Sequence, residues 1–90
     1  SKGYWQIPMR EEDKVVMQII AEIMEVNDAD MTPDLTLFDL GADELDMVDI
    51  NLALEQAMDV QFDDSTLLIN PEKEQSFTVQ DVINFASDYY

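Results

Sequence analysis

The amino-acid sequence predicts an all-α fold: a small helical bundle with three main helices, a short third helix and a long first loop. Two observations predict it. Apolar residues recur at helical spacing in three separate segments. Only two glycines and three prolines interrupt the 90 residues, which favours long helices over many short strands. A chain of this length corresponds to one small domain.

The first helix is predicted at residues 11–26. Its first turn is acidic, which suits the positive end of the helix dipole. One face carries the apolar side chains Val16, Ile19, Ile20 and Ile23. Residues 1–9 are predicted to be an N-terminal extension of a domain formed by residues 10–90. We expect the extension to fold back onto this domain, and a partner-docking segment is the alternative.

A long loop is predicted at residues 28–43, where Pro33 and Gly41 interrupt helical structure. Its apolar residues are expected to pin it to the core: Leu35, Leu37, Phe38 and Leu40. The second helix is predicted at residues 44–58. Asp43 is a suitable N-cap because its carboxylate can accept hydrogen bonds from the free amides of the first turn.

The second helix has two apolar stripes. One contains Met47, Ile50, Leu54 and Ala57. The other lies roughly opposite and contains Leu45, Val48 and Leu52. Because a surface helix needs only one buried stripe, the second stripe is expected to meet another element or a partner.

The last third of the chain predicts two further helices. A short one is expected at residues 65–69, ended by Pro71. The last main helix is expected after Thr78, which forms a capping-box pattern with Asp81. Its apolar face contains Val79, Val82, Ile83 and Ala86, extended by Tyr89 or Tyr90.

Negative charge dominates the composition: 21 acidic residues against 4 basic ones give a net charge of -17. No lysine or arginine lies between Val15 and Glu72. The negative electrostatic potential around such a chain repels nucleic acid and attracts basic protein surfaces. The plainer interpretation is a solvated surface. No apolar run reaches the length of a membrane span, so membrane insertion is not expected.

The chain has no cysteine and no histidine. Disulfides and thiolate metal sites are therefore excluded, and the commonest general base is missing, which argues against a catalytic site. Asp28-x-Asp30-x-Thr32 imitates the start of a calcium loop. Its sixth position is Pro33 instead of glycine and its twelfth is Asp39 instead of glutamate, so no metal site is predicted.

The junction between the long loop and the second helix reads Phe38-Asp39-Leu40-Gly41-x-Asp43-x-Leu45. It resembles the Asp-Leu-Gly-x-Asp-Ser-Leu motif of the acyl carrier protein family. Ala53-Leu54-Glu55 and Thr78-Val79-Gln80 add to the resemblance, which covers residues 11–89. It implies the carrier fold, in which the motif's serine bears a phosphopantetheine arm.

Glu44 stands in the place of that serine. A carboxylate has no hydroxyl to form the phosphodiester, so the resemblance implies that no phosphopantetheine cofactor is attached here. The favoured interpretation of Glu44 is a suitable charge in the first helical turn; the alternative is mimicry of the phosphodiester charge. Ser65, Ser76 and Ser87 lack the motif's surroundings, although Ser65 is the nearest imitation.

The second helix is the main docking surface of the family. The resemblance and the second apolar stripe together predict these partner-binding residues: Leu45, Asp46, Val48, Asp49, Leu52 and Glu55. The stripe flanked by acids suits an electrostatically steered contact with a basic protein surface. The alternatives are that Leu45 and Val48 cover the short helix, and that the acids form a solvated face.

These observations predict a non-enzymatic, carrier-like interaction protein, monomeric on its own, that docks to proteins but cannot be loaded in the family's usual way. The alternative is a specialised carrier of a fatty-acid, polyketide or nonribosomal-peptide pathway, with noncovalent cargo or an unrecognised attachment site. The cytoplasm or an organellar matrix is the expected compartment, although the sequence carries no signal for either.

Overall fold

The computed structural model describes Trp5, residues 9–62 and residues 77–90. In these ranges the chain forms no strand and three α-helices: α1 (Glu11–Met24), α2 (Glu44–Met58) and α3 (Val79–Ser87). The predicted all-α bundle is confirmed. The short helix predicted at residues 65–69 lies outside the described residues.

Helix α1 ends earlier than predicted, at Met24 instead of Val26. Glu25 adopts the left-handed conformation with φ 56°, and its backbone N–H donates to the carbonyls of Ala21 and Glu22. A left-handed residue cannot continue a right-handed helix, and it closes the last turn by satisfying free carbonyls. Helix α2, in contrast, has the predicted bounds.

The core forms where α1 packs against both α2 and α3. Its largest fully buried side chains come from all three helices and from the long loop: Val16, Ile20, Leu37, Met47, Ile50, Leu54, Val79 and Val82. Burying a side chain of this size contributes about 1.5–3 kcal/mol relative to exposure. The apolar face predicted for α3 is confirmed, and one side of α2 is held against the core.

Two residues predicted to face the core do not. Ala57 is exposed in the last turn of α2, where it lies on the wall of an open cavity. Phe38 is 59% exposed, whereas its neighbour Leu37 is fully buried. The chain turns tightly here, since the Leu40 N–H donates to the Thr36 carbonyl (3.2 Å). Neighbouring side chains in such a turn point in different directions, so only one of them reaches the core.

The long loop is hydrogen-bonded to the segment that leads into α3. Thr36 and Thr78 form an isolated antiparallel bridge. Beside it, the Leu37 N–H donates to the Phe77 carbonyl (2.9 Å). This pairing fixes the end of the loop against α3 and thereby positions the start of α2.

Trp5 contacts the body of the domain. Its indole N–H donates to the Met31 carbonyl (3.3 Å), and its ring packs against the core together with Met9. The fold-back expected for the extension is thus observed at Trp5.

Candidate interaction surface

The start of α2 is fixed by a reciprocal pair of carboxylate caps. Asp43 accepts a hydrogen bond from the Asp46 N–H (2.9 Å), and Asp46 accepts one from the Asp43 N–H (3.0 Å). Two amides that have no partner inside the helix are thus satisfied. The predicted N-cap role of Asp43 is confirmed, and Asp46 has a structural role in addition to the one predicted for it.

The turn before α2 requires a glycine at position 41. Gly41 has φ +87°, a conformation that side-chain-bearing residues rarely adopt. Upstream, Thr36 and Asp39 exchange hydrogen bonds between their side chains and backbone amides (3.1 and 2.9 Å). Two residues of the attachment-site motif, Asp39 and Gly41, are therefore needed to shape the turn.

Glu44 is the first residue of α2, and its side chain is exposed. Within the described part of the chain, its carboxylate has no hydrogen-bond or ion-pair partner. Asp43 and Asp46 already satisfy the cap. Glu44 therefore contributes charge to the helix start without a specific contact there.

The outward face of α2 is apolar along its centre. Leu45 is 73% exposed, Leu52 is 51% exposed and Val48 is 38% exposed. Asp49 is exposed beside them, and Asp46 is partly exposed at the cap. Large apolar side chains grouped on an exposed helix face are typical of protein contacts. The structure thus leaves the second apolar stripe accessible.

Glu55 differs from the other predicted docking residues because it makes a tertiary contact. Its carboxylate accepts a hydrogen bond from the Phe62 N–H (2.8 Å). Phe62 is buried, and its ring packs against Phe85 and Tyr89 at centroid distances of 4.9 and 4.8 Å. Glu55 therefore anchors the chain after α2, a role that sequence reasoning missed.

Among the described residues, no lysine or arginine forms an ion pair with the acids of α2. Both ion pairs in the described residues lie at the start of α1: Arg10 with Asp13 (3.2 Å) and Lys14 with Glu11 (3.5 Å). The negative potential along α2 is therefore not neutralised by any ion pair that the described ranges contain.

At the start of α1, Asp13 is the centre of a cluster that also includes Arg10 and Tyr90. The Arg10 guanidinium donates twice to the Asp13 carboxylate (3.2 Å each), and the Tyr90 hydroxyl donates to it as well. Arg10 also lies over the Tyr90 ring, 5.0 Å from its centroid. The cluster ties the residue at position 90 to the first turn of α1, and no sequence pattern had indicated it.

These contacts shift the ionisation of the cluster. Burial alone raises the pKa of Asp13, but the hydrogen bonds from Tyr90 and Arg10 outweigh it and hold that pKa below its ordinary value. Burial, followed by the hydrogen bond to Asp13, raises the pKa of Tyr90. Asp13 is therefore stabilised as the carboxylate and Tyr90 as the neutral phenol.

Asn51 is another residue whose structural position sequence reasoning missed. It is 7% exposed on the core side of α2, and its Oδ1 has no hydrogen-bond partner among the described residues. An unpaired buried acceptor costs about 1–3 kcal/mol. Its spacing from Met47 and Leu54, four residues and three residues, was the signal that could have placed it on the buried face.

Three packed helices, a long first loop and a capped turn into α2 define a small helical domain of the carrier type. The chain belongs to the phosphopantetheine-attachment-site family: the family model of that description matches residues 14–72, about two thirds of the chain. The resemblance to acyl carrier proteins is thereby confirmed. Domains of this family normally carry phosphopantetheine, interact with partner proteins and are generally non-catalytic.

The match contains all of α2 and the turn before it. It therefore covers every residue of the predicted docking face. None of the described helices is long and apolar enough to cross a membrane.

Proposed function

We propose that this chain is a carrier-shaped, non-catalytic interaction protein that docks through α2 and is not loaded with phosphopantetheine at position 44. The observation that carries the proposal is Glu44 within an otherwise well-preserved attachment-site motif. Attachment of the arm requires a hydroxyl oxygen for the phosphodiester bond. A carboxylate does not supply one, so the residue at this position does not fit the covalently attached group.

The docking part of the proposal is supported by the outward face of α2. Leu45, Val48 and Leu52 supply exposed apolar area at its centre. Asp46, Asp49 and Glu55 supply the surrounding charge. A partner with a small apolar groove bordered by lysine or arginine complements this face, and its association is accelerated by electrostatic attraction. Residues 10–90 form the interacting domain in this proposal.

Loading is tested by incubating the purified protein with a broad-specificity phosphopantetheinyl transferase and coenzyme A, followed by mass spectrometry of the intact chain. The native chain is expected to keep its mass. Glu44→Ser is expected to gain one arm, because the turn, the Asp43 cap and the start of α2 are already in place. Glu44→Gln, which removes the charge without adding a hydroxyl, is the matched control and is expected to gain nothing.

A mass gain on the native chain overturns the proposal and supports the alternative of a specialised carrier with another attachment site. Peptide mapping then identifies the modified serine. Ser87 lies in the last turn of α3, where its hydroxyl donates to the Asn84 carbonyl (2.7 Å). Ser65 and Ser76 lie outside the described residues.

Docking is tested with a variant of the exposed face that spares the helix cap. Asp46 is unsuitable because it accepts the Asp43 N–H, so Asp49→Lys combined with Leu52→Ala is the better choice. With a partner identified by capture from native extract, this variant is expected to bind about tenfold more weakly. Salt near 1 M is expected to weaken the native complex as well, since the screening length falls to about 3 Å.

The matched control is Glu22→Lys, which makes the same change of charge on an exposed position of α1. It is expected to leave binding nearly unchanged. An equal loss in the control would show that net charge, and not the α2 face, governs binding. Undiminished binding of the α2 variant would place the docking surface elsewhere.

A further inference from the structure

A cavity of about 210 Å³ opens between the start of α1 and the end of α2. Its apolar lining consists of Val15, Val16, Leu54, Ala57, Met58 and Tyr90. Glu44 lies at the other end of α2, which is about 22 Å long at 1.5 Å per residue. The cavity is therefore separate from both the attachment-site motif and the start of the docking face.

One wall of this cavity is held in place by hydrogen bonds. Tyr90 lines the cavity, and its hydroxyl donates to Asp13, which is 9% exposed. Arg10 lies over the same ring and is bonded to the same carboxylate. An aromatic wall fixed in this way does not have to be ordered when a ligand binds, which lowers the cost of binding.

The size and lining of the cavity indicate an apolar ligand body. An apolar cavity of about 150 Å³ accommodates benzene. The larger volume here fits a phenyl ring or a short alkyl chain, whose contact with aliphatic and aromatic side chains is favourable.

The charge around the cavity selects the polar end of the ligand. Glu12 is exposed and belongs to the lining. The two described bases near the cavity are already paired, Arg10 with Asp13 and Lys14 with Glu11. Together with the net charge of -17, this arrangement attracts a cation and repels a carboxylate.

We propose that this cavity binds small organic ammonium ions, with the phenyl or alkyl body inside it and the ammonium group beside Glu12. The site is independent of loading at position 44 and of docking through α2. It adds a small-molecule binding activity to a domain whose family match concerns an attached arm.

The test uses the full chain and three ligands of similar shape: 2-phenylethylammonium, 2-phenylethanol and 3-phenylpropionate. Binding is followed by NMR shifts of the Val15, Val16 and Met58 methyl groups. The ammonium ion is expected to bind most tightly and the carboxylate least. If the ammonium group lies about 4 Å from the Glu12 carboxylate in water, their attraction should make the dissociation constant about fivefold lower than that of the alcohol.

Two variants connect the binding to the cavity. Ala57→Leu fills it and is expected to weaken ammonium binding about tenfold, whereas Ala53→Leu adds the same volume to α2 outside the lining and is expected to change nothing. Glu12→Gln is expected to remove most of the preference for the ammonium over the alcohol, and an unchanged preference would overturn the role given to Glu12. Circular dichroism of each variant is used to check that its helices are retained.

The proposal is overturned if the carboxylate binds as tightly as the ammonium, or if the shifts arise away from the cavity. It is also overturned if Ala53→Leu weakens binding as much as Ala57→Leu does.

Discussion

Helices α1 and α2 both have an aspartate at their third position that accepts the N–H of the N-cap residue, and they use this aspartate differently. In α1 the Asp13 carboxylate accepts the Arg10 N–H (3.2 Å), and in α2 the Asp46 carboxylate accepts the Asp43 N–H (3.0 Å). Asp13 is buried and also bonded to the Arg10 guanidinium and the Tyr90 hydroxyl. Asp46 is partly exposed, and within the described residues its carboxylate bonds only to the Asp43 N–H.

The acidic residue at the start of α1 stabilises the fold, whereas the acidic residues of α2 are available to contact a partner. At α1 the charge of Asp13 is neutralised by Arg10, so this residue contributes to folding. At α2 no described ion pair neutralises the charge, and Glu44, Asp46 and Asp49 add to a negative field directed at solvent. A basic partner surface can supply the missing compensation.

The largest expected difference is in stability. Asp13→Ala should lower the free energy of unfolding by about 2–3 kcal/mol, because it removes a cap, a charged hydrogen bond from Tyr90 and a partly buried ion pair. Asp46→Ala makes the same change at the same helix position and should cost about 1 kcal/mol, because only the cap is lost. Urea unfolding at pH 7 measures both values.

Equal losses from these two variants would contradict the structural role assigned to Asp13. Asp13→Asn is a useful third variant because it retains the shape of the side chain and an oxygen acceptor. Its loss should lie between zero and that of Asp13→Ala.

Acid pH should remove the special contribution of Asp13. Since its pKa is lowered by folding, this contribution is fully present above the ordinary value of 3.8 and is lost as the pH falls through the lower folded value. The difference in unfolding free energy between the native chain and Asp13→Asn should therefore shrink below about pH 4. Urea midpoints from pH 7 to pH 2 provide the measurement.

The difference between the two chains is the relevant quantity, because protonating the other acids also relieves repulsion in both of them. A difference that is constant across this range would show that the Asp13 carboxylate makes no charge-dependent contribution to stability.

Removal of the Tyr90 hydroxyl tests the other half of the cluster. Tyr90→Phe should lower the free energy of unfolding by about 1 kcal/mol, less than a fully buried hydrogen bond to a charge, because Tyr90 is 37% exposed. The ring, its packing and its contact with Arg10 remain. Thermal unfolding at neutral pH measures the loss, and Tyr89→Phe is the matched control, expected to be near neutral.

Alkaline pH gives a second measure of the same bond. Folding raises the pKa of Tyr90, so its contribution is present below the ordinary value of 10.0 and is lost as the pH rises above it. The native chain and Tyr90→Phe should therefore converge in stability above about pH 10. Parallel stability curves would rule out the bond to Asp13.

The parts of the molecule that the sequence predicted correctly follow local rules. Asp43 with Asp46, and Thr78 with Asp81, are three residues apart and set the starts of α2 and α3. The buried face of α3 was also identified from a local rule, the spacing of apolar residues along a helix. The docking face was proposed from the second apolar stripe on α2. The exposure of this stripe in the structure supports the proposal.

Two of the missed features are contacts that no local pattern encodes. Tyr90 contacts Asp13 across 77 positions of sequence, and Glu55 accepts a hydrogen bond from the Phe62 N–H, which lies beyond the end of α2. Phe38 was expected to face the core because it is apolar, but the tight turn at the end of the loop directs it to solvent. The conformation of the folded chain, and not the apolar pattern alone, determines these contacts and the exposure of Phe38.

The smallest expected effect is at Glu44, and it is the most direct test of the comparison. Glu44→Gln removes a first-turn charge that is worth about 0.3–1 kcal/mol at an exposed helix start. It also relieves repulsion from Asp43 and Asp46, the two carboxylates that make the cap. These opposing effects should leave the free energy of unfolding within about 0.5 kcal/mol of the native value, as measured by urea unfolding at low and high salt. A loss as large as that from Asp46→Ala would show that Glu44 is a structural residue like Asp13, and the contrast between the two helix starts would then be wrong.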